Sequence, residues 1–428
     1  MKKPEKSIAL TISLLIFVII FGIKILQHET FNTYGYDLGI RANIIWNIRH
    51  NLNVFDSLHQ RHGFSGHFHP ISFFLALFFY LWESPIMLLL LKCVALSFSF
   101  YLLYLISNSF FIPFLFFLNP YFFEILRFDF HPEVFSIPLI FLFFYFIEKK
   151  EVLKAVVGIL FVLLFKEDGG VLVFSLGIYL LFKRFKKYGF FLILISIIYF
   201  ILVVFLLLPH WSNNETLIQY HYPSLNPLRL FGNLFSTRKL ISFLRFMLSF
   251  GFLPLLSLEF IPGVFLLFEH FSSSYIHQYN LTHQYSIYIL AFSFFIFLKG
   301  FHKLERFKKI LISSLIFFSS FNFMPNFFKE GISFKRKARI KEIIENIPKN
   351  SSVCANNNLI PHLCLRDSLS FFPDFRNYKY ILVDMRGNLY PADYKKRFSY
   401  IDSLLKTKKY RIKEKTDSVF LLIKLNSG

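Results

Sequence analysis

Carboxylates, imidazoles and cations gather in a few short motifs of this chain. Tyr36-Asp37-Leu38-Gly39 supplies one acid. His67-Phe68-His69-Pro70 places two imidazoles at alternate positions, on one side of an extended segment. Arg127-Phe128-Asp129-Phe130-His131-Pro132-Glu133 combines a cation, two acids and an imidazole, and Lys166-Glu167-Asp168 precedes a Gly-Gly pair. His221, Tyr222, His277, His283 and Tyr285 lie further along. Such a mixture suits group transfer. A carboxylate acts as general base on a hydroxyl. An Arg, a Lys or a divalent metal neutralises a phosphate leaving group. Asp and His also ligate such a metal, with Mg or Mn the candidates and the cofactor otherwise unspecified.

Each motif also has a purely structural reading. Asp37, two residues before Gly39, is placed to cap a helix starting at Leu38. His67 and His69 are too few for a metal site and fit a hydrogen-bonded pair before Pro70. Asp129 stands two residues from His131 and serves equally to orient it. Lys166, Glu167 and Asp168 fit an ion-pair cluster that ends a helix at Gly169-Gly170. What favours chemistry is where the elements between the motifs must put them.

Of the 428 residues, 55% are hydrophobic and only 17% are charged, and mean hydropathy is +0.51. A soluble domain carries about 25% charged residues. The 63 Phe residues cannot all enter one water-soluble core, so the chain reads as an integral membrane protein. Net charge +21 is assigned to cytoplasmic loops and lipid head groups, not to nucleic acid. Cys93, Cys354 and Cys364 are too few for a disulfide framework or a Cys-rich metal centre.

The apolar runs predict eleven spans, near 8–26, 85–106, 110–126, 134–148, 152–166, 170–182, 188–208, 240–256, 258–271, 285–299 and 308–327. Several fall short of the about 20 residues that a straight span needs. With the N-terminus inside, basic clusters at Lys2–Lys6, Lys149–Lys154, Lys183–Lys187 and Lys299–Lys309 all lie on the cytoplasmic side. By the same count, every one of the chemistry-bearing motifs falls on the opposite side. Segment 70–83 is apolar but too short to span and reads as an interfacial or re-entrant helix.

The predicted fold class is therefore mainly α: a polytopic transmembrane bundle over 1–328 with a first outer loop at 27–84. A small extracytoplasmic α/β domain occupies 329–428. There KRKARIKEIIENI and ADYKKRFSYIDSLLKT read as helices. SSVCA and YILVDM read as buried strands, and YRIKEK with SVFLLIKL as a closing hairpin. The segment CANNNLIPHLC offers Asn357 and His362 to a polar acceptor, as a loop facing Asp37, or else makes Asx-type turns. Its two cysteines either pair in an oxidising space or stay buried as thiols.

The order YDLGI, HFHPI, NP…FDFHPE, FKEDGG, THQY and IPKNSSVCANNNLIPHL resembles the family known as domain of unknown function 2079, over about residues 35–385. Those proteins are polytopic, and the family looks similar to the GT-C glycosyltransferase superfamily. The resemblance implies a GT-C-like bundle and an inverting transfer of sugar from a polyprenyl-phosphate donor to an envelope glycan or glycolipid acceptor. The site would lie at the outer face of a bacterial inner membrane. Asp37 matches the acidic position of the first outer loop. The catalytic candidates are Asp37, Asp129, His131, Glu167 and Asp168. The substrate-binding candidates are His67, His69, Arg127, Glu133, Lys166, His221, His283, Tyr285, Asn357 and His362. One departure is that many GT-C enzymes pair two acids in this loop, whereas here the next acid after Asp37 is Asp56. Two other readings stay open: a transporter or flippase, and a non-catalytic envelope scaffold of the same fold.

Overall fold

In the computed structural model, residues 3–213, 216–224, 226–321, 327–329, 331–374, 378–387, 390, 393–416 and 418–425 are described. The apolar runs fold as helices, and caps and prolines decide where each begins. α1 (Lys3–Glu29) is one uninterrupted apolar helix. A π-helical turn, Gly35–Gly39, leads into α2 (Ile40–Asn51). The hairpin of β1 (Phe55–Asp56) and β2 (Arg61–His62) comes next, then α3 (Ile71–Phe79), the short helix expected in 70–83. α4 (Pro85–Ser107) begins at Ser84, whose hydroxyl accepts from the Ile86 N–H at 3.2 Å. Pro85 sits in the first turn, where a missing N–H costs nothing.

The next runs are broken. At Asn119-Pro120 the run 110–126 divides into α5 (Phe111–Phe117) and α6 (Pro120–Arg127), with Asn119 capping the second. α7 (Ser136–Glu148), α8 (Val152–Leu160) and α9 (Gly169–Phe182) are 13, 9 and 14 residues long. α10 (Lys186–Phe200) continues through a π-helical stretch, Ile201–Leu207, into α11 (Leu208–Trp211). α9 and α10 pack closely because a Cβ on Gly177 would meet the Gly189 carbonyl at 3.0 Å. Beyond them come α12 (Leu217–His221), α13 (Pro227–Leu234), α14 (Thr237–Leu248) and α15 (Gly263–Ser272). α16 (Ile276–Tyr279), α17 (Ile287–His302) and α18 (Arg306–Phe321) complete this part.

Among the described residues, three helices are long and apolar enough to cross a membrane: Pro4–Glu29, Pro85–Ser107 and Lys186–Trp211. Eleven were expected. The remaining runs fold as shorter helices, and a 14-residue helix such as α9 rises only about 21 Å against a hydrocarbon core of about 30 Å. Hydropathy does not register what shortens them, such as the Asn119 cap and the 3-10 turns Phe161–Leu164 and Leu253–Leu256. The last expected span crosses residues 322–326, which lie outside the described residues.

The C-terminal region begins with α19 (Phe334–Glu345). Its strands are β3 (Val353–Ala355), β4 (Leu369–Phe371), β5 (Tyr380–Asp384), β6 (Tyr410–Lys415) and β7 (Val419–Lys424), in spatial order β4-β3-β5-β7-β6. β3 pairs parallel with β4 and β5, while β7 pairs antiparallel with β5 and β6. α20 (Tyr394–Lys406) joins β5 to β6. Both expected helices, both expected strands and the closing hairpin are present. Cys354 and Cys364 are buried free thiols and make no disulfide.

Two apolar cores hold these elements together. One fills the helical bundle, from Cys93 and Phe116 to Ile289 and Phe297. The other is shared: Leu38, Ala42 and Ile44 of the first loop pack with Ile360, Phe371 and Leu382 of the C-terminal sheet. The sheet is thereby fixed against the segment that carries Asp37.

Candidate functional site

Asp37 lies in the middle of the π-helical turn, and that turn is clamped from both sides. The Tyr34 N–H donates to Asp129 Oδ2 at 2.6 Å. The Gly35 N–H donates to the Asn357 carbonyl at 2.7 Å, and the Tyr36 N–H to Asn357 Oδ1 at 3.1 Å. Gly35 and Gly39 are required here, since a Cβ on either would come within 2.6 Å of Ile360. Asp37 does not cap α2, which has no side-chain cap. Its Oδ1 lies 3.3 Å from His131 Nε2 instead.

The segment 127–133 is pinned from below by two ammoniums in the long helices. Lys24 of α1 donates to the carbonyls of Arg127 and Phe128 at 2.9 and 2.8 Å. Lys92 of α4 donates to those of Ile125 and Asp129 at 2.6 and 2.9 Å, and to that of Phe128. They satisfy the carbonyls that end α6, which otherwise have no donor. So fixed, the segment sets Asp129 against Tyr34 and leaves His131 to others. His131 Nδ1 lies 3.2 Å from Glu133 Oε2 while Nε2 faces Asp37. The expected Asp129–His131 pairing is replaced by this arrangement.

The network then runs on. Lys166 Nζ is 3.4 Å from Glu133 Oε1 and 2.6 Å from Asp168 Oδ2, and it lies 5.5 Å from the Tyr285 ring centre. The Tyr288 hydroxyl donates to Asp168 Oδ1 at 3.2 Å. Glu167 turns the other way. It takes His67 Nδ1 at 2.7 Å and the Phe68 N–H at 3.0 Å. His69 does not pair with His67; its Nδ1 meets Ser72 Oγ at 3.4 Å. Asp37, His131, Glu133, Lys166, Asp168, Glu167 and His67 thus form one cluster from separate motifs.

The remaining candidates are placed around it. Arg127 is tied to Glu124 at 2.8 Å and to His283 Nδ1 at 3.3 Å, on the flank of the cluster. His221 bonds Gln278 at 2.8 Å and stacks on Tyr275, with Tyr285 close by. His362 stacks between His28 and Phe31, with ring centres 4.1 and 4.3 Å away. Asn357 and His362 therefore hold the 356–362 loop onto the first loop by their own contacts.

Burial and charge divide the roles. Glu133 and Glu167 are 3% and 6% exposed, whereas the side chains of Asp37 and Asp168 are 22% and 15% exposed. Asp37 and Asp168 are thus the more exposed of these four acids, while Glu167 and Asp168 border a cavity. Burial works against charge on His131, but Glu133 and Asp37 outweigh it and raise its pKa. Burial likewise opposes the Glu133 carboxylate, yet His131 and Lys166 hold its pKa well below the ordinary range. Burial pushes Asp129 up to about 7 and Asp168 up to about 6. His67 and His69 are driven well down by burial, then by nearby cations, and stay neutral.

A cavity of about 490 Å³ opens against this cluster. Its body is apolar, with Phe174 of α9, Phe200, Ile201 and Val204 of the long helix, and Phe265 and Phe268 of α15. Its polar lining includes His67, Lys166, Glu167, Asp168, His221, Gln278 and, from α15, Glu269. Asp37 does not line it and is reached through Glu133 and His131. The π-helical stretch Ile201–Leu207 contributes to the wall, a feature common at functional sites.

A family model described as a predicted membrane protein, DUF2079, matches residues 27–421. The chain belongs to the DUF2079 family. That match takes in every motif of the cluster and the C-terminal sheet as far as residue 421, within β7. Among curated proteins the comparison gives no match.

Within this DUF2079 chain, the expected divalent cation does not fit the residues. No three His, Cys, Asp or Glu side chains among the described residues are arranged to hold a metal ion. Asp37 and Glu133 are already bound to His131, and Glu133 and Asp168 to Lys166. Three residues outside the sequence-derived set also shape the site. Lys24 and Lys92 were legible as cations inside apolar runs, a costly placement that marks function or structure. Arg41, four residues after Asp37 in the first turn of α2, was legible as a cation beside the YDLG motif.

Proposed function

We propose that this chain is a membrane glycosyltransferase of the GT-C kind, taking a sugar from a polyprenyl-phosphate donor to an envelope glycan or glycolipid. The observation that carries the reading is one continuous connection. An apolar cavity ends on Lys166, Asp168, Glu167 and His67, and that end joins the accessible Asp37 through Glu133 and His131. An apolar cavity with a few charged groups at one end suits a lipid chain bearing a phosphate.

In this reading the Asp37 carboxylate takes the proton of the acceptor hydroxyl. The hydroxyl oxygen attacks the anomeric carbon, the bond from that carbon to the phosphate oxygen breaks, and the lipid phosphate leaves with the electron pair. One displacement inverts the configuration. His131, held between Asp37 and Glu133, orients the base. Lys166, held by Glu133 and Asp168, stands in the cavity lining, and Asp129 acts by fixing the turn before Asp37. The site belongs at the outer face of a bacterial inner membrane with the N-terminus cytoplasmic, a placement resting on the basic clusters.

The test is lipid and glycan profiling of a deletion strain complemented with the wild type or with Asp37→Asn. The reading expects a missing glycan and an accumulated donor, restored by the wild type alone. Full restoration by Asp37→Asn removes Asp37 from the mechanism. Unchanged glycans with altered uptake of a polar solute support a transporter instead.

A further inference from the structure

Arg41 is buried, 8% exposed, on α2 one turn from Asp37. Burial works against its charge, and Glu133, Asp37, Glu167 and Asp56 act in its favour. Each of these already has its own partner. Glu133 is bound by His131 and Lys166, and Asp37 by His131. Glu167 takes His67 and the Phe68 N–H. Asp56 takes His59 Nδ1 at 2.6 Å and the Leu58 N–H at 3.0 Å. Among the described residues, no hydrogen bond and no ion pair within 4.0 Å reaches the Arg41 guanidinium, and its Nε is buried without a partner. Burying an unpaired cation is strongly unfavourable unless something else meets it.

A second buried donor lies in the same electrostatic neighbourhood. His69 is 1% exposed and its Nε2 has no partner. Ser72 Oγ lies 3.4 Å from Nδ1; when that hydroxyl donates to Nδ1, the proton of the neutral ring sits on Nε2. Arg41 is the charge that His69 feels most strongly.

We infer that Arg41, with His69, binds a phosphate-class oxyanion beside Asp37. A guanidinium offers a planar fork matched to phosphate oxygens, and its burial strengthens the contact. Lys166 and Arg127, the cations first expected in this role, are both already paired with carboxylates. The inference rests on the lipid-phosphate reading of the cavity, whose lining holds His67 and Glu167 but neither Arg41 nor His69, and it extends that reading to a residue and an anion beside Asp37. The oxyanion belongs either to a lipid phosphate or to free phosphate.

The test is equilibrium binding to the full chain in lipid nanodiscs, with farnesyl phosphate, farnesol and inorganic phosphate as probes. The variants are Arg41→Gln, Arg41→Lys and, as a control on the same helix, Arg49→Gln. The wild type and Arg49→Gln are expected to bind farnesyl phosphate at least about tenfold tighter than farnesol. Arg41→Gln is expected to lose that preference while binding farnesol unchanged, and Arg41→Lys to keep part of it. Competition by millimolar inorganic phosphate assigns the anion to free phosphate, and its absence to the lipid head group. A wild type without the preference overturns the inference, as does an Arg41→Gln protein that keeps it. Should Arg41→Gln fail to fold, an Arg41→Lys protein with undiminished preference and unchanged salt dependence also overturns it. Binding is read without transfer. Loss of sugar transfer with intact Arg41-dependent binding therefore counts against the glycosyltransferase reading alone.

Discussion

Nε2 of His131 lies 3.3 Å from Oδ1 of Asp37, across 94 residues of sequence. With Glu133 on its other nitrogen, His131 faces a carboxylate at each end and is held charged. An imidazolium in that position fixes the Asp37 carboxylate in one orientation. His131→Ala is therefore expected to lower transfer by about two orders of magnitude with little change in donor KM. The double variant with Asp37→Asn is expected to be no worse than Asp37→Asn alone. Additive losses in the steady-state rates contradict this coupling.

Lys92→Met removes the donor to the carbonyls of Ile125, Phe128 and Asp129. A buried acceptor left unpaired costs about 1–3 kcal/mol. Destabilisation of at least that size is expected in denaturant unfolding of the solubilised protein. Unchanged stability shows that water or another group reaches those carbonyls.

The docking of the C-terminal sheet on the first loop makes a steric prediction. A Cβ on Gly39 would lie 2.6 Å from Ile360 Cγ2. Gly39→Ala is expected to destabilise the protein by about 1–3 kcal/mol through overpacking. Ile360→Ala removes that methyl, so the double variant is expected to be more stable than the sum of the single effects. Simple additivity in thermal unfolding contradicts the close approach.

Asp129 gives a pH signature. Burial raises its pKa from 3.8 to about 7 in the folded protein. The folded state thus binds this proton more tightly than the unfolded chain. The resulting stability is complete below pH 3.8 and is lost as pH rises to about 7. Asp168, held up to about 6, adds a slope of the same sign. The melting temperature of the wild type is expected to fall more steeply over this window than that of Asp129→Asn. Identical slopes contradict the raised value.

Much of the site was legible because its motifs are short and chemically dense. FDFHPE and FKEDGG already held Asp129, His131, Glu133 and Lys166–Asp168. Their pairing was not legible. Spacing within a motif pointed Asp129 at His131, but two lysines from distant helices turn the segment and give His131 to Asp37 instead. The C-terminal helices and the hairpin were read correctly because their apolar periodicity is regular. β4 escaped notice because three residues, Leu369–Phe371, carry too little pattern. The eleven expected spans are matched by only three long apolar helices among the described residues for a related reason. Hydropathy sums over residues, and the Asn119-Pro120 break or the turn at Phe252, with φ of 59°, changes geometry without changing polarity.

The most direct measurement of the central claim is sugar transfer by the purified protein in nanodiscs, supplied with labelled polyprenyl-phosphate sugars and an envelope lipid extract as acceptor. The account predicts transfer by the wild type with inversion at the anomeric carbon. It also predicts a loss of at least about a hundredfold in Asp37→Asn, whose thermal unfolding stays that of a folded protein. Wild-type rates retained by Asp37→Asn, or transfer with retained configuration, contradict it.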